Sequence, residues 1–233
     1  WQGAIPTAAA NCNQSTVGGM RFSQQTAPAK SYLAYLEAAG SNSAATVEVH
    51  DRLMHMGGLS GTFTTAQTVG LDFNGVTADN MAERIGDADY SDIQWWLEWY
   101  TDTGATVTTA TVAVTYNDGT TGNLTGVSLA ATRRASFMQP LNGLIPAAAA
   151  GKFIRAVNTV TLSASTGTAG NFGVTATRLR GSLFMPIANA KFSADWANLP
   201  INTIPNSSCP FIAVLASTTI TGTLRGGGKI AHG

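Results

Sequence analysis

Two histidines and an aspartate are the first residues whose chemical types could support a reaction or bind a metal. His50, Asp51 and His55 lie within six residues of one another, and imidazole and carboxylate groups serve as metal ligands and general bases. Residues five apart point to opposite faces of a strand and are offset by about 140° on a helix. Neither geometry brings the two imidazoles side by side, so we interpret them as ordinary surface or core residues.

An acidic segment and a glycine run resemble ligand-binding motifs only in part. Residues 87–92 read DADYSD and lack the turn glycine and the distal glutamate of a calcium loop. Residues 226–229 read GGGK, but Ile230 follows where a phosphate loop has Ser or Thr at the start of a helix. No G-x-S-x-G motif offers a nucleophile. We therefore predict no enzymatic activity, no cofactor and no metal.

The aromatic segment at residues 93–100 has two interpretations. It reads IQWWLEWY, and period-2 alternation places Trp95 and Trp99 on one face of a strand and Trp96 and Tyr100 on the other. In the first interpretation, which we favour, these aromatic residues fill a core and a second buried face or subunit interface. In the second, Trp96 and Tyr100 form an exposed platform for a sugar ring.

The neighbouring strands complete this prediction. Asp118-Gly119 between β-branched runs is a strong hairpin signal. We expect the strands around it to form an antiparallel meander with the aromatic segment. Val112, Val114 and Tyr116 would then lie across the ladder from the core-facing residues Trp95, Leu97 and Trp99.

Composition limits the classes of partner. Charged residues make up 11% of the 233 residues, against roughly 25% in an average globular domain. The thirteen basic and thirteen acidic side chains cancel, so we expect no nucleic-acid partner and no membrane partner. Low net charge promotes association and favours a subunit of an assembly. Cys12 and Cys209 lie near opposite ends, and we interpret them as buried free thiols in preference to a disulfide.

Hydrophobic periodicity predicts an all-β fold: an antiparallel β-sandwich or jelly-roll-like domain with an extended N-terminal arm and one or two short helices. The arm covers residues 1–27, with Trp1 and Phe22 as anchors onto a neighbouring subunit or onto the sandwich. A helix is predicted over 28–39, so residues 1–45 form the arm region and residues 46–233 the β-sandwich domain. The predicted elements of that domain are strands at 46–56 and 62–73, helical turns at 78–85, main strands at 92–101, 106–117, 122–130, 136–142, 152–165 and 171–184, a Pro/Asn-rich excursion over 186–210, and a closing hairpin over 211–230.

A glycine-rich connector joins the last two main strands. Residues 166–171 read TGTAGN, and glycine accepts positive φ at little steric cost. We predict a hairpin turn there, with Phe172 returning to the core, in preference to a ligand-binding loop.

Four phrases resemble a known class of proteins. They are residues 51–62 (DRLMHMGGLSGT), 64–68 (TTAQT), 101–106 (TDTGAT) and 160–175 (VTLSASTGTAGNFGVT). In combination they are similar to structural proteins from the virion gene blocks of tailed bacteriophages, over about residues 49–186. The resemblance implies a non-enzymatic virion protein that forms a symmetric homo-oligomer with itself and contacts other virion proteins such as the major capsid protein. A capsid decoration or cement role is the specific expectation, with a head–tail connector or tail component next. The alternative is a carbohydrate-binding β-sandwich module.

Overall fold

The computed structural model describes residues 5–129, 131–168, 170–199, 203–216 and 222–233. The fold is all-β, with half of the chain in strands and a small helical fraction, which confirms the predicted class. The strands, in chain order, are β1 (Ala10–Asn11), β2 (Ser31–Gly40), β3 (Ala45–Ser60), β4 (Gln67–Asp72), β5 (Ile93–Trp99), β6 (Thr108–Tyr116), β7 (Thr121–Leu129), β8 (Met138–Pro140), β9 (Ile154–Leu162), β10 (Asn171–Met185), β11 (Phe192–Asp195), β12 (Thr203–Ile204), β13 (Pro210–Ala216) and β14 (Leu224–His232).

Helical structure in the described part of the chain is short. One α-helix, α1, covers Met81–Arg84, and 3-10 turns cover Ala78–Asn80, Asn142–Leu144 and Ala147–Ala149. Gly86, with φ of 81°, follows the helix, as the predicted helical turns at 78–85 require. In the described residues, no helix is long and apolar enough to cross a membrane.

The chain divides into two compact units. Unit 1 comprises Trp1–Cys12 and Leu53–Thr177, and unit 2 comprises Asn13–Arg52 and Arg178–Gly233. The division differs from the predicted boundary at residue 45, because β3 and β10 each contribute residues to both units. Each unit therefore draws on distant parts of the sequence, which a linear division of the chain cannot show.

Unit 1 is a β-sandwich with two sheets over one core. The first sheet has the strand order β4-β9-β6-β7. The second has the order β1-β3-β10-β5-β8, and unit 1 includes those parts of β3 and β10 that lie between Leu53 and Thr177. Buried side chains from both sheets form a single cluster that includes Trp95, Val112 and Val160. The indole Nε1 of Trp95 donates a hydrogen bond of 2.8 Å to the Ile154 carbonyl in the facing sheet.

This arrangement corrects the predicted meander. β6 and β7 form the expected hairpin, with Thr115 opposite Thr121 and Gly119 at φ of 83°. However, β5 belongs to the other sheet, so Val112, Val114 and Tyr116 face the tryptophans across the core and are not their ladder neighbours. The strand pattern predicts which face is apolar, but it cannot predict whether the next strand pairs with it or packs over it.

The hairpin turn predicted at the glycine-rich connector is wrong for the same reason. β9 lies in one sheet and β10 in the other, so the segment between them crosses between sheets and is not a hairpin turn. Phe172 does return to the core, where its ring stacks on Trp99 with centroids 5.9 Å apart. Gly104 lies beside the crossing, and a Cβ atom there would overlap the Thr166 carbonyl.

Unit 2 also has two layers around a smaller core. β2 pairs with β14 along one edge and with the short strands β11 and β12 along the other. The second layer contains β13 paired with the first half of β3, together with the last residues of β10. The buried cluster between them includes Leu33, Val47, Val49 and Met185.

Two predictions in unit 2 are wrong. The predicted helix over 28–39 is strand β2, because hydrogen bonds from three distant strands outweigh the helix propensity of its Ala, Leu and Glu residues. The predicted closing hairpin over 211–230 is also not formed, because β13 pairs with β3 whereas β14 pairs with β2. The excursion over 186–210 forms only the short strands β11 and β12 at the edge of β2.

The amino-terminal segment packs along its own chain. In unit 1, β1 pairs with β3, and the buried Arg84 donates from Nη1 to the Cys12 carbonyl at 2.7 Å. In unit 2, Phe22 packs against the core cluster. Trp1, the other predicted anchor, lies outside the described residues. Cys12 and Cys209 are both buried free thiols.

Candidate functional site

The outer edge of β13 in unit 2 is the candidate interaction surface, and it is built from the way β13 pairs with β3. Ile212 lies opposite Val49 and Val214 opposite Val47, and directly opposite residues in a sheet point to the same face. Val47 and Val49 are buried in the unit 2 core. Ile212 and Val214 nevertheless remain 46% and 45% exposed. The core of unit 2 is therefore only partly covered along β13.

The backbone of β13 shows which of its polar groups face outward. The Cys209 carbonyl accepts a hydrogen bond of 3.0 Å from the Arg52 amide. Because antiparallel hydrogen bonding alternates, the odd-numbered residues of β13 direct their backbone groups to β3 and the even-numbered residues direct theirs away. Consistently, the Pro210 carbonyl accepts from the Met20 amide at 2.7 Å. Ile212, Val214 and Ala216 thus present their N–H and C=O groups at the outer edge.

Buried charges anchor the start of this strand. Asp51, fully buried, accepts hydrogen bonds from the Ser208 hydroxyl at 2.9 Å and the Cys209 amide at 2.8 Å. Its carboxylate also pairs with the Arg180 guanidinium at 3.0 Å. Breaking a buried ion pair of this kind by removing one partner is strongly destabilising. Asp51, first considered for chemistry beside His50, thus fixes the chain where β13 begins.

The opposite face of the same strand pair is also fixed by aromatic and charged groups. His50 stacks on Phe211 with ring centroids 5.7 Å apart, and the Arg52 guanidinium lies 4.4 Å from the centre of the Phe211 ring. His50 Nε2 lies 2.8 Å from the Glu48 carboxylate. These contacts hold β13 in one register on β3.

The aromatic residues of β5 are not an exposed platform. Trp95 and Trp99 lie in the unit 1 core, and Trp96 is 8% exposed, with Nε1 donating to Thr177 Oγ1 at 2.8 Å. Tyr100 is partly buried and bonds His55. The sugar-platform interpretation of Trp96 and Tyr100 is therefore wrong, because the face that carries them is covered as well as the face opposite.

A directed chain of hydrogen bonds lies behind Tyr100 in unit 1. Thr175 Oγ1 donates to Glu98 Oε2 at 2.8 Å, so its oxygen accepts from His55 Nδ1 at 2.7 Å. The Tyr100 hydroxyl forms a hydrogen bond of 2.9 Å with His55 Nε2. Because the Thr175 hydrogen is donated to Glu98, the proton in the His55–Thr175 bond comes from His55 Nδ1. A Cβ atom at Gly173 would lie 2.5 Å from the Tyr100 oxygen, so the hydroxyl is enclosed. We therefore assign this row of hydrogen bonds a structural role in unit 1.

The other sequence candidates occupy structural positions. Asp89 caps a turn through the Ser91 amide at 2.9 Å, and hydrogen bonds from Ser91 hold the pKa of that carboxyl below its usual value. Gly226 to Gly228 lie inside strand β14 rather than in a loop. Among the described residues, no group of three or more His, Cys, Asp or Glu side chains is placed to hold a metal.

Sequence reasoning missed the open edge and one exposed aromatic residue. Residues 210–216 (PFIAVLA) form an uncharged apolar run, and this run is the signal that could have marked β13 as an interface. Trp196, which follows β11, is 67% exposed; its neighbours Asp195 and Ala197 gave no sign of this. Comparison of the chain with protein-family models, with curated proteins and with solved structures finds no significant match.

Proposed function

We propose that this protein is a non-enzymatic structural subunit that assembles with copies of itself, and that its assembly belongs to the virion of a tailed bacteriophage. The observation that carries the first part is the open edge of β13, where Ile212 and Val214 continue the face of the buried residues Val47 and Val49. Natural proteins protect an edge strand with charge, proline or a cover. Beyond Pro210, whose carbonyl accepts from the Met20 amide, residues 211–216 of β13 carry neither charge nor proline, and an apolar edge of this kind is suited to contact with another protein surface.

The distribution of other apolar side chains supports the same proposal. Among the described residues, nine of the thirteen exposed large hydrophobic side chains belong to unit 2: Val17, Met20, Phe184, Ile187, Trp196, Ile212, Val214, Leu215 and Leu224. With 11% charged residues in the whole chain, few charges separate these side chains. Unit 2 is therefore the part of the chain that we assign to assembly contacts.

The placement on a phage particle rests on the resemblance of residues 51–62, 64–68, 101–106 and 160–175 to virion structural proteins. Capsid decoration or cement is the specific role that we propose, with a head–tail connector or tail component second. Other virion proteins, such as the major capsid protein, would then be partners in addition to the protein's own copies. The carbohydrate-binding alternative loses the residue pair on which it depended, since Trp96 is buried.

Two measurements test the proposal. Sedimentation velocity of the purified chain over a range of concentrations should give a closed oligomer, and mass spectrometry of purified phage particles should detect the chain at a fixed ratio to the capsid protein. A chain that stays monomeric and is missing from particles would contradict the proposal. A monomer whose tryptophan fluorescence shifts on addition of glycans would instead support the lectin class.

A further inference from the structure

Two of the outer-edge strands of unit 2, β13 and β14, differ in whether they can pair with their own copy. β13 carries no charged residue along Pro210–Ala216, whereas β14 carries Arg225 and Lys229. If β14 paired antiparallel with a second β14 about its central residue Gly227, each Arg225 would lie opposite a Lys229. Like charges directly opposite one another destabilise a strand pair. Of these two strands, β13 is the one that can pair with its own copy without opposing like charges.

The outward groups of β13 also match those of a second β13. In an antiparallel pair centred on Ala213, Ile212 of one copy lies opposite Val214 of the other, and both residues direct their backbone groups outward. The two symmetric Ile212–Val214 positions can each exchange a pair of N–H···O=C bonds. The same register continues the core-facing apolar row of Val47 and Val49 across the interface, since Ile212 and Val214 share their face.

We propose that β13 of one molecule pairs antiparallel with β13 of a second copy of this chain, about a two-fold axis that passes beside Ala213. The inference rests on the proposed assembly function and names the contact that begins it. Such an interface is isologous, because the same strand serves both partners. It is a form of β-augmentation in which backbone bonds provide affinity and the alternating side chains provide register.

A cysteine at position 213 tests the register directly. In a pair centred on Ala213, the two Ala213 residues form a non-hydrogen-bonded pair with Cα atoms about 4.5 Å apart, which lies within the range that a disulfide spans. We expect the full-length Ala213→Cys chain to form a covalent dimer under mild oxidation, seen on non-reducing gels. The wild-type chain provides the background, because its two cysteines are buried.

The control variant is Val214→Cys, one residue along the same strand. Position 214 would face Ile212 of the partner, and the two cysteines would be diagonal neighbours about 7–8 Å apart, which is too far for a disulfide. Cross-linking by Ala213→Cys and not by Val214→Cys supports the proposal. Equal cross-linking by both variants, or none by Ala213→Cys in a chain that oligomerises, overturns it.

A charge exchange tests the same contact without a covalent bond. In the I212K/V214K chain, lysines face lysines at both symmetric positions, whereas in I212K/V214E each lysine faces a glutamate. Both variants place two charged residues at the same two positions of this partly exposed strand. In sedimentation equilibrium, we expect I212K/V214E to associate at least about tenfold more tightly than I212K/V214K. This ratio of dissociation constants corresponds to roughly 1.4 kcal/mol. Equal association of the two variants would contradict the pairing.

The outcomes separate this inference from the function on which it rests. A chain that is found in particles and oligomerises, but whose Ala213→Cys variant stays uncross-linked, retains the proposed function and loses the β13 contact. A wild-type chain that is monomeric and missing from particles loses the proposed function itself. Phe63→Lys, a charge added to an exposed residue of unit 1, should leave cross-linking by Ala213→Cys unchanged.

Discussion

Unit 1 and unit 2 use similar strands but bury them to different extents. Among the described residues, the unit 1 cluster contains 27 buried hydrophobic side chains, with Trp95 and Trp99 at its centre. The unit 2 cluster contains 11, and its aromatic members, Phe22 and Phe192, are only partly buried. Conversely, of the thirteen large hydrophobic side chains that are exposed in the described part of the chain, unit 1 has four and unit 2 has nine.

The difference teaches where each unit obtains its stability. Hydrophobic stabilisation is roughly proportional to the apolar area removed from water. Unit 1 therefore obtains most of its hydrophobic stabilisation from its own core. Unit 2 leaves part of its core-facing surface at β13 in contact with water, and further burial there requires another surface. We therefore expect substitutions inside unit 1 to change folding, and substitutions on the surface of unit 2 to change association.

The sharpest test of this comparison exchanges one tryptophan in each unit for alanine. Trp99 is buried and stacks on Phe172, so Trp99→Ala should lower the free energy of unfolding by about 3–5 kcal/mol. Trp196 is exposed, and Trp196→Ala should change the free energy of unfolding by less than about 0.5 kcal/mol. Urea denaturation followed by circular dichroism measures both. Equal midpoints for the two variants would refute the division of roles.

A pair of glycines tests packing in the same way. A Cβ atom at Gly104 in unit 1 would overlap the Thr166 carbonyl, whereas one at Gly227 in β14 of unit 2 meets no atom within 4 Å. We expect Gly104→Ala to lower the free energy of unfolding by about 1–3 kcal/mol, as overpacking does. Gly227→Ala should be neutral or slightly stabilising, because it restricts the unfolded chain. Thermal unfolding of the two variants measures this difference in stability. A Gly104→Ala protein as stable as the wild type would show that the segment around Thr166 can move away from the added Cβ atom.

Much of the fold could be predicted from the sequence because much of it is local. The alternation in residues 93–100 identifies a strand and its core face, and Asp118-Gly119 identifies the β6–β7 turn. Strand partners are not local. Nothing near residues 28–39 indicates that β14, β11 and β12 will pair there, and nothing near β5 indicates that β6 will cross to the other sheet.

The candidate surface was harder to predict for a related physical reason. Residues 210–216 would read the same in a central strand, which is apolar on both faces, and in an edge strand used for assembly. The distinction depends on whether a neighbour lies beyond β13, and this depends on the partners of β3 far along the chain. Likewise, Trp96 and Tyr100 could not be assigned to a buried face, since their cover comes from residues such as His55 and Thr177.

Two tyrosine hydroxyls allow a finer comparison of the units. Tyr100 bonds the fully buried His55 in unit 1, whereas Tyr35 in unit 2 donates to the partly exposed Glu37 carboxylate at 2.7 Å. Tyr100→Phe should lower the free energy of unfolding by about 1 kcal/mol, within the usual range for one hydrogen bond. Tyr35→Phe should cost less, because water replaces the lost bond. Chemical denaturation of both variants tests this, and a larger loss for Tyr35→Phe would reverse the comparison.

The smallest expected effect concerns acid stability at exposed carboxylates. In unit 1, the Asp118 carboxylate lies 2.8 Å from Lys152 Nζ and accepts from Thr120. The ion-paired Lys152 side chain is the largest influence that holds the pKa of Asp118 well below its ordinary value of 3.8. In unit 2, the pKa of Glu37 is also lowered. The largest cause is a hydrogen bond from Lys191, and the second largest is a hydrogen bond from Tyr35.

The sign of the pH effect follows from these directions. A carboxyl whose pKa is lower in the folded protein than in the unfolded chain stabilises the fold above its unfolded pKa, and this stabilisation is lost as the pH falls through the folded pKa. Between about pH 5 and pH 2, the wild-type protein should therefore lose more stability than Asp118→Asn, which cannot titrate at that position. Glu37→Gln should flatten the same profile less, because the depression of the Glu37 pKa is the smaller one. Urea midpoints measured across this pH range for the three proteins provide the test, and parallel profiles for wild type and Asp118→Asn would show that the Lys152 contact does not persist in solution.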